Sequence, residues 1–129
     1  MNGRYLVDSN LWIGLLRDDA QASSHLATLA EVYFCPHVLG ELFAGVYKSQ
    51  LMQSNLSKLL ALLQKGKLLA TDAATAEQYG QLKEMLRKQG KPIPINDLWI
   101  AATAIQHNLT LVTRDIDFNV ISQLTKERW

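Results

Sequence analysis

Short apolar runs alternate along this chain with longer stretches whose apolar positions fall three and four apart. Tyr5-Leu6-Val7 is the first run, and it stops at Asp8. Leu11, Trp12, Leu15 and Leu16 follow at helical spacing, with Ser9 or Asn10 placed to cap that helix. Asp18-Asp19 marks a break, and Ala22 to Ala30 reads as another helix. Val32 to Cys35 has the look of a second strand, stopped by Pro36. From His37 to Lys48, Leu39, Leu42, Phe43 and Val46 share one face of a helix. Met52 to Gln64 repeats that pattern through Leu56, Leu59, Leu60 and Leu63, and Gly66 ends it.

The second half continues the alternation. Leu68-Leu69-Ala70 is a short strand candidate. Thr71 or Asp72 caps a long helix to Gln89, which Gly90 stops. Pro92 and Pro94 make a rigid loop, and Asn96 or Asp97 opens a helix through Ile100, Ala101, Ala104 and Ile105. Leu109 to Thr113 is a clear strand, and Val120 to Leu124 reads as a last edge strand. Strands alternating with helices predict an α/β fold with a mainly parallel sheet. With 129 residues and no linker, repeat or low-complexity tract, residues 1–129 read as one domain.

Composition narrows the setting. No apolar run reaches the roughly 18 residues of a membrane span. The N-terminal Met-Asn-Gly-Arg-Tyr-Leu-Val-Asp enters a strand-like segment without the apolar core of a signal peptide. Cys35 has no partner for an intramolecular disulfide and lies in an apolar run, which predicts an inert, buried thiol. A cytoplasmic protein fits these features. The net charge of +1 hides a partition: with four of the 12 acids held in a site, eight remain to face 13 Lys and Arg, a basic excess compatible with phosphate contacts.

Those four acids carry the chemistry. Asp8 ends the first strand, and Asp115 comes two residues after Leu111-Val112-Thr113. In open parallel sheets ligands bind beyond the carboxyl ends of strands, so both acids belong to one edge. Asp97 falls in the first turn of its helix and Glu41 one turn into its own. Unpaired carboxylates beside apolar strands are costly, and they meet a metal or a cation. Hard oxygen donors suit Mg²⁺ or Mn²⁺, which activates water for attack on a phosphodiester. Ser9, Asn10 and Thr113 are placed to orient ligands or waters. Asp117 is the weaker ligand candidate, because Phe118 after it anchors a turn. Arg114 is a candidate RNA-phosphate contact, with pairing to a neighbouring acid as its alternative.

Four stretches extend this reading: Leu6-Val7-Asp8-Ser9-Asn10, Glu41-Leu42-Phe43-Ala44-Gly45, Asn96-Asp97-Leu98-Trp99-Ile100-Ala101-Ala102, and Leu111-Val112-Thr113-Arg114-Asp115-Ile116-Asp117-Phe118. In order and spacing they resemble the PIN-domain family, specifically the VapC-like toxins of bacterial type II toxin–antitoxin pairs. The resemblance implies a three-layer domain, a central parallel sheet with helices on both sides. It implies an Mg²⁺- or Mn²⁺-dependent endoribonuclease acting on structured RNA such as tRNA. Its acidic pocket maps onto Asp8, Glu41, Asp97 and Asp115, with Asp8, Asp97 and Asp115 as metal ligands. It further implies a homodimer and a VapB-like antitoxin whose C-terminal segment blocks the site. The chain departs from the pattern in Trp99, bulkier than the common aliphatic residue, and in its Lys126-Glu127-Arg128-Trp129 tail.

Other features carry less. His25, His37 and His107 lack metal-ligand spacing, and no G-x-x-x-x-G-K-[ST] loop is present. Lys83, Arg87, Lys88 and Lys91 read as a solvated helix face that RNA could use. Leu56, Leu59, Leu60 and Leu63 read as core, with a dimer or antitoxin surface as the alternative, and Trp12 and Tyr47 are similar cases. The competing reading is a catalytically silent, metal- or RNA-binding module of the same shape. A phosphotransfer enzyme on a doubly wound sheet is weaker, since the second acid of a haloacid-dehalogenase-like pair is Asn10 here.

Overall fold

The computed structural model describes residues 3–129; Met1 and Asn2, the start of the expected run into the first strand, lie outside the described residues. Five strands form one sheet in the order β3-β2-β1-β4-β5: β1 Arg4–Val7, β2 Glu31–Phe34, β3 Lys67–Leu68, β4 Thr110–Val112 and β5 Lys126–Glu127. Every pairing is parallel. Helices α1 Ser9–Leu16, α2 Ala20–Ala27, α3 Pro36–Lys48, α4 Met52–Leu63, α5 Ala73–Lys88 and α6 Ile95–Gln106 connect them. The central strands are apolar on both faces because helices cover both: Leu6, Val7, Leu111 and Val112 are fully buried.

β1 lies between β2 and β4, so the chain winds outwards in both directions from it. That reversal opens a crevice at the carboxyl ends of β1 and β4, where ligands of open parallel sheets bind. Asp8 and Thr113 follow directly on these two strands. The Asp8 N–H donates to the Val112 carbonyl at 2.9 Å, extending the β1–β4 ladder to the edge of the crevice.

The helices behind this edge are fixed by ordinary packing. Trp12 is buried, stacks on Phe34 with centroids 4.6 Å apart, and donates from Nε1 to the Val7 carbonyl at 3.0 Å. It is therefore a core residue and not a surface for a partner. Cys35 is fully buried, and burial pushes its thiol up to about 11. α6 is buried along Ile100, Ala101, Ala102, Thr103 and Ala104, whose small side chains let α5 pack closely. Asp72 caps α5 through a reciprocal pair with Thr75, and Gln106 of α6 donates to the same carboxylate at 2.9 Å. Gly66 sits where a Cβ would come within 2.7 Å of the Phe34 ring.

Three sequence expectations shift. Asp8, not Ser9 or Asn10, caps α1, because its Oδ1 accepts the Ser9 N–H at 2.8 Å. α6 opens at Ile95 with Pro94 as its cap, since the fixed proline dihedral already suits a helix entrance. The expected strand Val120 to Leu124 is instead a 3-10 turn, Ile116–Val120, and a loop; the last strand is Lys126–Glu127. Ile121 and Leu124 are apolar because they are buried under the sheet edge, while the strand pairs through its backbone alone.

Candidate acidic site

Asp8 is the best-anchored member of the site. It is 4% exposed, and both of its oxygens are engaged: Oδ1 by the Ser9 N–H and Oδ2 by the Thr113 hydroxyl at 2.7 Å. Burial raises its pKa and the nearby Asp115 adds to this, while the Thr113 and Ser9 hydrogen bonds oppose it. The Thr113 hydroxyl also accepts the Asp115 N–H at 3.0 Å. One threonine thus couples the end of β1 to the loop after β4.

Asp115 caps the 3-10 turn, its Oδ1 accepting the Asp117 N–H at 2.9 Å. That tight turn folds Asp117 back towards Asp97 in the first turn of α6. Oxygens of Asp97, Asp115 and Asp117 all lie within 4.8 Å of one another. Loss of solvent is the largest cause that pushes the Asp97 carboxyl up to about 7, followed by the charges of Asp115, Asp8, Asp117 and Glu41. Four acids thus act on Asp97 from the surrounding elements.

Glu41 stands at the mouth of the cleft. Its Oε2 accepts the Ser9 hydroxyl at 3.2 Å, and its Oε1 accepts from the Asn96 amide. Partial desolvation raises its pKa, with Asp8 adding to the effect and Ser9 and Asn96 opposing it. Around α6, Trp99 stacks on Tyr79 with centroids 4.0 Å apart and on His37 at 5.2 Å, which braces the helix turn carrying Asn96 and Asp97.

The cleft thus gathers Asp8, Glu41, Asp97 and Asp115, together with Ser9 and Thr113. Asp117, read from sequence as a weaker candidate, joins Asp97 and Asp115 in the tightest group. Asn10 is exposed and holds none of these carboxylates. Arg114 is turned aside, its Nε donating to the main-chain oxygen of Trp129 at 2.8 Å. Asn96 was not anticipated as a support for Glu41, since its partner lies 55 positions away and no local spacing marks the pair. Among the described residues, no Lys, Arg or His forms an ion pair with these acids. Converging carboxylates without a basic partner make a donor set for a hard divalent cation.

A family model, the PIN domain, matches residues 5–124 of the chain. The chain belongs to the PIN-domain family. This PIN domain is 34% identical to the ribonuclease VapC2 of Rickettsia felis, over 97% of each chain. It is 28% identical to the tRNA(fMet)-specific endonuclease VapC of Shigella flexneri, over 98% of each chain. Its structure matches that of VapBC2 from Rickettsia felis bound to a promoter DNA fragment, with a TM-score of 0.90 and 33% identity over 97% of this chain and 98% of that one. These similarities make it a VapC-like PIN domain, and its parallel sheet flanked by helices is the architecture the family resemblance implied.

Proposed function

We propose that this PIN domain is a divalent-metal-dependent endoribonuclease toxin that cuts structured RNA, with tRNA as the favoured class. The observation that carries the reading is the convergence of Asp97, Asp115 and Asp117 oxygens within 4.8 Å, with no basic side chain to neutralise them. Such a set suits Mg²⁺ or Mn²⁺, and its donors are hard oxygens throughout. A bound ion would supply an activated water and stabilise charge on the phosphate oxygens.

The protein residues do the positioning. Asp97, Asp115 and Asp117 would hold the ion, and Asp8, fixed by Thr113 and Ser9, would add negative charge behind them. Glu41 presents a carboxylate at the mouth, held by Ser9 and Asn96, where a proton released from water can be taken up. The tRNA preference is supported by the Shigella flexneri relative, named as specific for tRNA(fMet). The VapBC2 match supports a VapB-like antitoxin as protein partner. Exposed Tyr47, Leu51, Met52 and Leu60 around α3 and α4 offer apolar area for that partner or for a homodimer. The functional unit is a single domain over 1–129 acting in the cytoplasm, where tRNA is found.

The test is incubation of purified, antitoxin-free protein with bacterial RNA and Mg²⁺ or Mn²⁺, beside an EDTA control and the Asp97→Asn variant. A discrete product that needs both metal and Asp97 is expected. Metal binding by folded protein without cleavage of any RNA would leave only a silent binding module.

A further inference from the structure

A second cavity, in which three cations meet two acids, adjoins the acidic cleft on its β5 side. It encloses about 220 Å³ between the loop after β4 and the tail strand, and Thr113 and Asp115 form the wall it shares with the acids. Its other walls bring together Arg114, Lys126 and Arg128. The placement is set by main-chain bonds. Val112 pairs with Glu127, and the Thr113 N–H donates to the Glu127 carbonyl at 3.0 Å. Lys126 lies on β5 and Arg128 follows the strand, and both line this cavity.

No ion pair joins Arg114, Lys126 or Arg128 to an Asp or Glu among the described residues, although Asp115 and Glu127 line the same cavity. Glu127 lines the same cavity but is not ion-paired with them, and its Oε2 is buried without a hydrogen-bond partner. Arg114 is the informative member. It is half-buried, and the Trp129 main-chain oxygen holds its Nε at 2.8 Å. A tethered guanidinium whose terminal N–H groups stay unpaired is pre-organised for a phosphate, because little side-chain freedom is left to lose. Mutually repelling cations around a polar cavity favour a bound anion. The one that must lie against Asp115 in the proposed reaction is the backbone of the RNA.

We propose that this cavity is a phosphodiester subsite that grips the RNA backbone to one side of the bond being cut. Arg114 is its fixed ligand, and Lys126 and Arg128 are its mobile ones. The identity of the ligand rests on the nuclease reading. The tail that departs from the family pattern thereby gains a purpose, because its cations offset the repulsion between a polyanion and five clustered acids.

The test separates binding from cleavage. In full-length protein carrying Asp97→Asn, so that cleavage cannot interfere, the affinity for a fluorescent single-stranded oligoribonucleotide is measured by anisotropy over a salt series. Arg114→Gln and the pair Lys126→Ala/Arg128→Ala are compared with Lys48→Ala/Lys58→Ala, which removes equal charge elsewhere. The expected result is an affinity roughly tenfold lower for the subsite variants, and a salt slope smaller by about 0.7 for each phosphate no longer gripped. Affinity and slope that move no more than in the control pair overturn the proposal. With Asp97 restored, Lys126→Ala/Arg128→Ala is expected to raise KM for bacterial tRNA and leave kcat unchanged. If the native protein cleaves nothing yet the subsite variants still bind RNA less well, the nuclease reading fails and the subsite stands. If it cleaves and the variants bind RNA as tightly, the subsite alone fails.

Discussion

At the amino end of the sheet Glu31 lies between two cations, Arg4 at 3.7 Å and Lys67 at 3.0 Å; at the carboxyl end five acids gather, and none of them is ion-paired among the described residues. The same residue type responds in opposite ways. Lys67 leads the interactions that hold the Glu31 carboxyl below its ordinary range, while desolvation and neighbouring acids push Asp97 up to about 7. Both cations at the amino end also lie over the Tyr33 ring, at 5.5 and 5.9 Å, so that end is closed electrostatically. The carboxyl end has no such closure among the described residues.

Breaking the open end should give the largest effect. Asp97→Asn removes a carboxylate from the tightest group, and RNA cleavage is expected to fall on the order of 10³-fold while circular dichroism stays native. Retention of full activity would remove Asp97 from the site. Next comes Thr113→Val, which takes away the hydroxyl that serves both Asp8 and Asp115. Leaving Asp8 Oδ2 without its donor should cost about 1–3 kcal/mol in urea unfolding. Loosening the acids should lower activity roughly 10–100-fold. Unchanged activity and stability would mean that this hydroxyl only fills space.

pH sharpens the comparison further. In the folded protein Asp97 keeps its proton up to about pH 7, whereas in the unfolded chain it loses it near pH 4. Between those values the folded state binds the additional proton. The metal-free fold should therefore lose stability as pH rises through this window, and Asp97→Asn should reduce the loss in unfolding curves recorded with EDTA, leaving the part due to Asp8 and Glu41. Binding a cation needs the carboxylate, so Mn²⁺ affinity by calorimetry should weaken below about pH 7, by at most about tenfold per pH unit for one proton. The smallest effect belongs to the closed end. Glu31→Gln breaks an exposed ion-pair network, and thermal melting should hardly move, with cleavage unaffected.

Much of this contrast was legible in the sequence, for a definite reason. Asp8 and Asp115 follow apolar strands whose burial fixes their ends, so the crevice could be placed from strand patterns alone. Asp97 was marked by its helix turn. The place of Asp117 beside Asp97 and Asp115 depends on the 3-10 turn capped by Asp115, and such a turn has no period of its own. β5 was misplaced because its two residues, Lys126 and Glu127, are polar and pair only through the main chain, whereas Ile121 and Leu124 supply the apolar signal nearby. Trp12 could be read as buried or as a docking residue until its N–H was seen to reach the Val7 carbonyl. Sequence patterns report burial well; they are silent where backbone geometry or charge alone sets the arrangement.

The hydrogen bond from Thr113 to Asp8 spans 105 positions of the chain. Its consequence is one of timing. On the ribosome Asp8 is among the first residues to emerge, and it must wait for β4 before it has either the Val112 carbonyl or the Thr113 hydroxyl as partner. A nascent chain that stops after α6 can hold most of its helices and none of the closed cleft. In such a fragment Asp8 lacks its Thr113 donor, and Asp115 and Asp117 are absent altogether.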